Sequence, residues 1–84
     1  MDLKNEFDEA AIRARQLKRV SDENKLFLYA RFKQATCGDC NISKPSVFDY
    51  VAQAKYTAWS LLKGTEYENA MREYVEKVRF LAAN

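Results

Sequence analysis

Apolar residues recur along this chain at helical rather than strand spacing. Between Leu3 and Leu17, positions Phe7, Ala10, Ala11, Ala14 and Leu17 share one face, with Asp, Glu, Lys and Arg between them. That spacing predicts a first helix with a flat alanine strip. Ser21 is an N-cap candidate, and Asp22 and Glu23 suit the positive end of a second helix, predicted from Asp22 to Thr36 or Cys37. On it, Leu26, Tyr29, Ala30, Phe32 and Lys33 occupy neighbouring positions, and Gly38-Asp39 closes it. "CGDCNISKPS" follows as the longest loop, extended before Pro45. A third helix starts at Ser46 or Asp49 and runs to Lys63, carrying Ala54, Lys55, Ala58, Trp59, Leu61 and Leu62. Gly64 suits the left-handed position after a helix end. Thr65 and Glu68 have capping-box spacing for a fourth helix, whose Tyr67, Ala70, Met71, Tyr74, Val78 and Leu81 follow a 3.6-residue period. Strand alternation is nowhere sustained, and only two glycines and one proline punctuate the chain. The predicted fold class is all-α, with four helices.

Composition narrows the picture. At 84 residues a single domain, 1–84, is expected, large enough for one modest core. With 48% hydrophobic and 31% charged residues, the mix is that of a soluble globular protein. A net charge of +2 is far from the balance of a nucleic-acid binder, so any anion site must come from local placement of Lys and Arg. No segment approaches the ~20 apolar residues of a membrane span, and the N-terminus lacks a signal-peptide core. The expectation is a cytoplasmic protein with no nucleic-acid partner and no stable membrane insertion.

The chain has no histidine, which removes the commonest general base, the Ser-His and Cys-His nucleophile pairs and every His-containing zinc site. The two cysteines form a C-x-x-C, Cys37 to Cys40. A redox dithiol wants a helix N-terminus to lower the thiol pKa. This motif lies at a predicted helix C-terminus, so it reads as two small hydrophobes of the buried type. Tyr29, Phe32 and Lys33 are more informative. Positions i, i+3 and i+4 are neighbours on a helix, and two rings beside a cation suit a stacked base and a phosphate. Lys55 and Tyr74 are similar candidates on the third and fourth helices. Periodicity leaves open whether these residues converge or are core aromatics beside snorkelling lysines.

Taken in order, "FDEAAIRARQLK", "LFLYARFKQATCGDCN", "KPSVFDYVAQAKYTAWSLLKGT" and "AMREYVEKV" resemble the acyl-CoA-binding protein family, which includes diazepam-binding-inhibitor-like members. The resemblance runs from Phe7 to about Leu81. It implies an up-down-down-up antiparallel four-helix bundle and a non-enzymatic carrier with no cofactor, whose ligand is fatty acyl-CoA. It further implies that Tyr29, Lys33 and Lys55 hold the 3′-phosphate and adenine of CoA, that Phe32 lies against the adenine, and that Tyr74 contacts the nucleotide end. Arg15 adds charge from the first helix, Ala10 and Ala11 back the ligand, and Leu26 completes the expected acyl-CoA-binding set. A monomer that meets acyl-CoA-using enzymes transiently is the implied working state. Phe32 stands where the family often has Tyr, so stacking is kept and one phenol hydrogen bond is lost. A rival reading is a helical protein-interaction module that kept the fold and lost ligand binding.

Overall fold

In the computed structural model, which describes residues 2–83, the four periodic stretches are helices: α1 Leu3–Ala14, α2 Asp22–Cys37, α3 Tyr50–Ser60 and α4 Tyr67–Ala82. No strand occurs among the described residues. Three starts are capped by side chains. Asp2 accepts from the Asn5 N–H at 2.8 Å, Ser21 Oγ from the Asn24 N–H at 3.1 Å, and Asp49 Oδ1 from the Ala52 N–H at 3.0 Å. Asp49, not Ser46, therefore opens α3.

The fourth start departs from expectation. Glu66 is the N-cap of α4, without a side-chain cap, and the Thr65–Glu68 capping box does not form. Thr65 is already committed to the preceding turn. Its N–H donates to Leu62 O at 2.9 Å, and its carbonyl accepts from Gln34 Nε2 at 3.0 Å. Two helices also end about three residues earlier than their periodicity suggests. After Ala14 the N–H groups of Arg15, Gln16 and Leu17 reach back three residues instead of four, as do those of Leu62 and Lys63 after Ser60. The chain tightens there into the narrower turns common at helix ends.

Cross-helix contacts give the direction of each helix. Phe7 packs on Tyr74, while Arg13 and Gln16 lie beside Ala82, so α1 and α4 run parallel. Arg31 meets Glu73 and Lys77 lies over Phe27, so α2 and α4 are antiparallel. Lys55 meets Tyr29 and Lys33 meets Trp59, so α2 and α3 are parallel. The result is up-down-down-up, with backbone contacts in the order α1–α4–α2–α3 and α3 packed on α2 alone. The buried core draws Phe7 and Ala10 from α1, Leu28, Ala30 and Ala35 from α2, and Ala70, Tyr74, Val75 and Val78 from α4. Alanines at these contacts let the helices approach closely.

A polar knot fixes the end of α2 against the α3–α4 turn. Gln34 is buried, and its Nε2 donates to Asp39 Oδ1 at 2.9 Å as well as to Thr65 O. The Gly64 N–H donates to the same Asp39 oxygen at 2.9 Å. Trp59, buried as its position suggested, gives its indole N–H to Gly38 O at 2.9 Å. The Gly64 N–H first, and then the Gln34 amide, hold the Asp39 carboxyl below its ordinary pKa. Gly38 itself has φ 80° and ψ −151°, a region close to glycine-only, and a Cβ there would sit 3.1 Å from Tyr67 Oη.

Two expectations about side-chain burial are not met. Tyr67 is more than half exposed because α4 begins there, before its apolar stripe enters the core. Cys37 is exposed and Cys40 half-buried, both as free thiols. The C-x-x-C is therefore not a buried apolar pair, since the α2 terminus turns Cys37 outward. No cluster of metal-binding side chains is present among the described residues.

Candidate ligand-binding site

The parallel register of α2 and α3 creates a crossed arrangement of cations and rings. Tyr29 and Lys33 are one turn apart on α2, and Lys55 and Trp59 are one turn apart on α3. Lys55 Nζ lies 5.3 Å from the centroid of the Tyr29 ring, and Lys33 Nζ lies 5.0 Å from that of Trp59. Each ammonium rests on a ring of the other helix, within the range of a cation–π attraction. The lysine stems are thereby oriented, neither lysine forms an ion pair with a carboxylate among the described residues, and their charges remain available to an anion.

Beside this pair is a cavity of about 490 Å³. Ala14, Leu17, Val20 and Leu28 form its apolar wall. Tyr29, Phe32 and Tyr74 supply rings, Lys25 and Lys33 supply charge, and none of the described residues lining it is acidic. Phe32 is held by a cluster of three rings. It stacks on Phe7 at 5.6 Å between centroids, Phe7 meets Tyr74 edge-on at 5.1 Å, and Phe32 meets Tyr74 at 5.9 Å. Phe7 and Tyr74 are buried, while Phe32 is 37% exposed. One side of the Phe32 ring is thus backed by the core, and the other can receive a flat group. Burial pushes the Tyr74 phenol up in pKa, and the nearby Arg15 charge partly offsets that.

The sequence-predicted residues separate into three groups. Tyr29, Phe32, Lys33 and Tyr74 line the cavity, and Lys55 joins them through Tyr29. Arg15 is exposed at the end of α1 and acts on the site through its charge near Tyr74. Ala10, Ala11 and Leu26 are not among the lining residues. Ala10 is buried against α4, Ala11 packs at the edge of the same core, and Leu26 is half-buried. Ala14, Leu17, Val20, Lys25 and Leu28 line the cavity as well. For three of them a signal existed: Ala14 continues the Ala10–Ala11 strip, and Lys25 and Leu28 precede Tyr29, Phe32 and Lys33 on one helical face.

The sequence model of the family described as acyl-CoA-binding protein matches residues 4–78. The chain belongs to the acyl-CoA-binding protein family. It is 51% identical over 81 residues to acyl-CoA-binding domain-containing protein 6 of Danio rerio, covering 95% of this chain and 27% of that protein. It is 43% identical over 82 residues to the acyl-CoA-binding protein of Ricinus communis, covering 96% of this chain and 91% of the relative. The crystal structure of Oryza sativa acyl-CoA-binding protein 2 superposes with a TM-score of 0.93 at 37% identity, over 98% of this chain and 92% of that one. The chain thus spans about a quarter of the Danio relative and nearly all of the Ricinus one. The four-helix arrangement is the family fold.

Proposed function

We propose that this chain binds medium- and long-chain fatty acyl-CoA, one molecule per chain, as a non-enzymatic carrier in the cytoplasm. The observation that carries this reading is the crossed Lys33–Trp59 and Lys55–Tyr29 arrangement beside an acid-free cavity with an apolar wall. Lys33, Lys55 and the Tyr29 phenol are the proposed contacts of the 3′-phosphate, through charge-assisted hydrogen bonds. The exposed side of Phe32 is the proposed platform for adenine, where base stacking contributes about 1–3 kcal/mol. The Tyr74 and Arg15 end would receive the rest of the nucleotide. The apolar wall of Leu17, Val20 and Leu28 suits the start of the acyl chain, each buried methylene of which adds about 0.8 kcal/mol. Ala10, Ala11 and Leu26 support these elements from the packing side. The chain acts as a monomer that hands its ligand to acyl-CoA-using enzymes in transient encounters.

Calorimetric titration with acyl-CoAs of increasing chain length tests this, with free CoA and free fatty acid as controls. Affinity should rise with chain length until the groove is filled and be nearly absent for the free fatty acid. Lys33→Ala and Lys55→Ala should each weaken binding by about tenfold to a hundredfold, the range for a lost hydrogen bond to a charged group. A folded sample that binds no acyl-CoA would sink the carrier reading and leave the interaction module in its place.

A further inference from the structure

The proposed contacts of CoA leave one cation of the cavity unused. Lys25 lines it together with Ala14, Leu17, Val20 and Leu28, the residues of its apolar wall. Lys25, Tyr29 and Lys33 follow one another at four-residue spacing on α2 and so share a helical face. Eight residues of helix put Lys25 about 12 Å along the axis from Lys33. The proposed 3′-phosphate position at Lys33 is thus two turns away, and the rest of the nucleotide falls to Tyr74 with the nearby Arg15.

Lys25 also differs from the other lysines of the site in how it is held. Lys33 and Lys55 each rest on a ring of the neighbouring helix. Among the described residues, Lys25 has no ion pair, no side-chain hydrogen bond and no ring contact. Asp22 stands three residues earlier, at a spacing that permits a pair, and does not take it. Lys25 is exposed although it lines the cavity, in the manner of a lysine whose stem covers apolar surface while its ammonium stays at the edge of water.

This placement bears on how an acyl chain can end. A chain that runs along the wall and ends in a methyl group crowds the ammonium with an apolar tail and gives it no partner, which costs part of the hydration of a charge. A chain that ends in a carboxylate loses its own hydration in an apolar groove unless a cation stands where it ends. Lys25 is such a cation, and none of the described residues lining the cavity is acidic to repel the incoming group.

We propose that Lys25 pairs with a carboxylate at the far end of the acyl chain, so that CoA monothioesters of long-chain dicarboxylic acids belong to the ligand class of this site. The proposal rests on the carrier reading and extends it from the CoA end of the ligand to the tail.

Calorimetric titration of the intact chain tests it, with CoA monothioesters of α,ω-dicarboxylic acids over a series of chain lengths. The monocarboxylic esters of equal length and free CoA are the controls. At one or more lengths the dicarboxylic ester should bind at least as tightly as its monocarboxylic counterpart, and added salt should reduce that preference. Lys25→Met keeps an apolar stem and removes the charge. It should weaken the best dicarboxylic ester by about fivefold, the upper range for an exposed ion pair, and leave the monocarboxylic ester and free CoA within about twofold. Lys25→Glu should weaken the dicarboxylic ester further, and circular dichroism should show both variants folded. Weaker binding of the dicarboxylic ester at every length, with the monocarboxylic ester still bound, would overturn this proposal and leave the carrier reading standing. An equal loss of both esters and of free CoA in Lys25→Met would also overturn it, by giving Lys25 to the CoA phosphates. Failure of wild type to bind either ester would overturn the carrier reading itself, and this proposal with it.

Discussion

At the scale of single residues, the end of α2 shows how a few atoms hold a helix junction. Gly38 supplies a backbone conformation other residues avoid, its carbonyl receives the Trp59 indole, and its missing Cβ leaves space for Tyr67. Gly38→Ala should cost about 1–3 kcal/mol from backbone strain. Urea unfolding would measure it, and a loss below 0.5 kcal/mol or so would mean that the turn relaxes freely. Asp39 works through its charge. Its carboxyl pKa is lower in the folded chain than in the unfolded one, so its stabilising contribution is present above the ordinary carboxylate pKa and is lost as pH falls through the folded value. Thermal unfolding followed from pH 7 to about pH 2 should show this loss below about pH 4. In Asp39→Asn the chain should be less stable at neutral pH and less sensitive to acid over the same interval.

At the scale of helices, the caps are the most discriminating feature. Ser21 and Thr65 both precede a helix and look alike in sequence. Only Ser21 accepts a bond from its helix, while Thr65 spends its backbone groups on a turn and on Gln34. Ser21→Ala should destabilise by about 1 kcal/mol, and Thr65→Ala should stay within about 0.5 kcal/mol of wild type. Chemical denaturation of the two variants side by side decides this. Equal losses would show that Thr65 caps α4 in solution. The alanine-rich contacts of α1, α2 and α4 are also an element-level property. They bring helices close enough for the Phe7–Phe32–Tyr74 cluster to form across three of them.

For the whole molecule, most large side chains are only partly buried, and the candidate site opens between the end of α1, α2 and α4, with α3 reaching it through Lys55 on Tyr29. A ligand that fills this cavity would add apolar contacts the free protein lacks. Saturating acyl-CoA at about 100 times its Kd should stabilise the fold by about 2.7 kcal/mol. For a domain of this size that is a rise in Tm of roughly 10–20 °C. Differential scanning calorimetry with and without ligand measures it, and an unchanged Tm at a concentration that saturates in titration would mean that the unfolded chain binds equally well.

The amino-acid pattern by itself determined four helices, their approximate limits, the burial of Trp59 and one ring-and-cation face on α2, because helix hydrogen bonds and side-chain periodicity are local. It also carried the family, through runs such as Tyr29 to Asp39 in which spacing and identity are both specific. Helix ends were less legible: at Leu17 and Lys63 the chain tightens locally into three-residue turns, and Thr65 gives its carbonyl to Gln34 from another helix. The rest was decided only by the tertiary structure. Lys55 meets Tyr29, and Lys33 meets Trp59, because α2 and α3 run parallel in one register. That register is set by bonds from Gln34 to Thr65 and from Trp59 to Gly38, between groups 31 and 21 residues apart. Ala10 and Ala14 look equivalent as a sequence, yet Ala10 is buried in the core while Ala14, packed at its edge, also lines the cavity. The difference comes from which part of α1 the neighbouring helices cover, which no local spacing encodes.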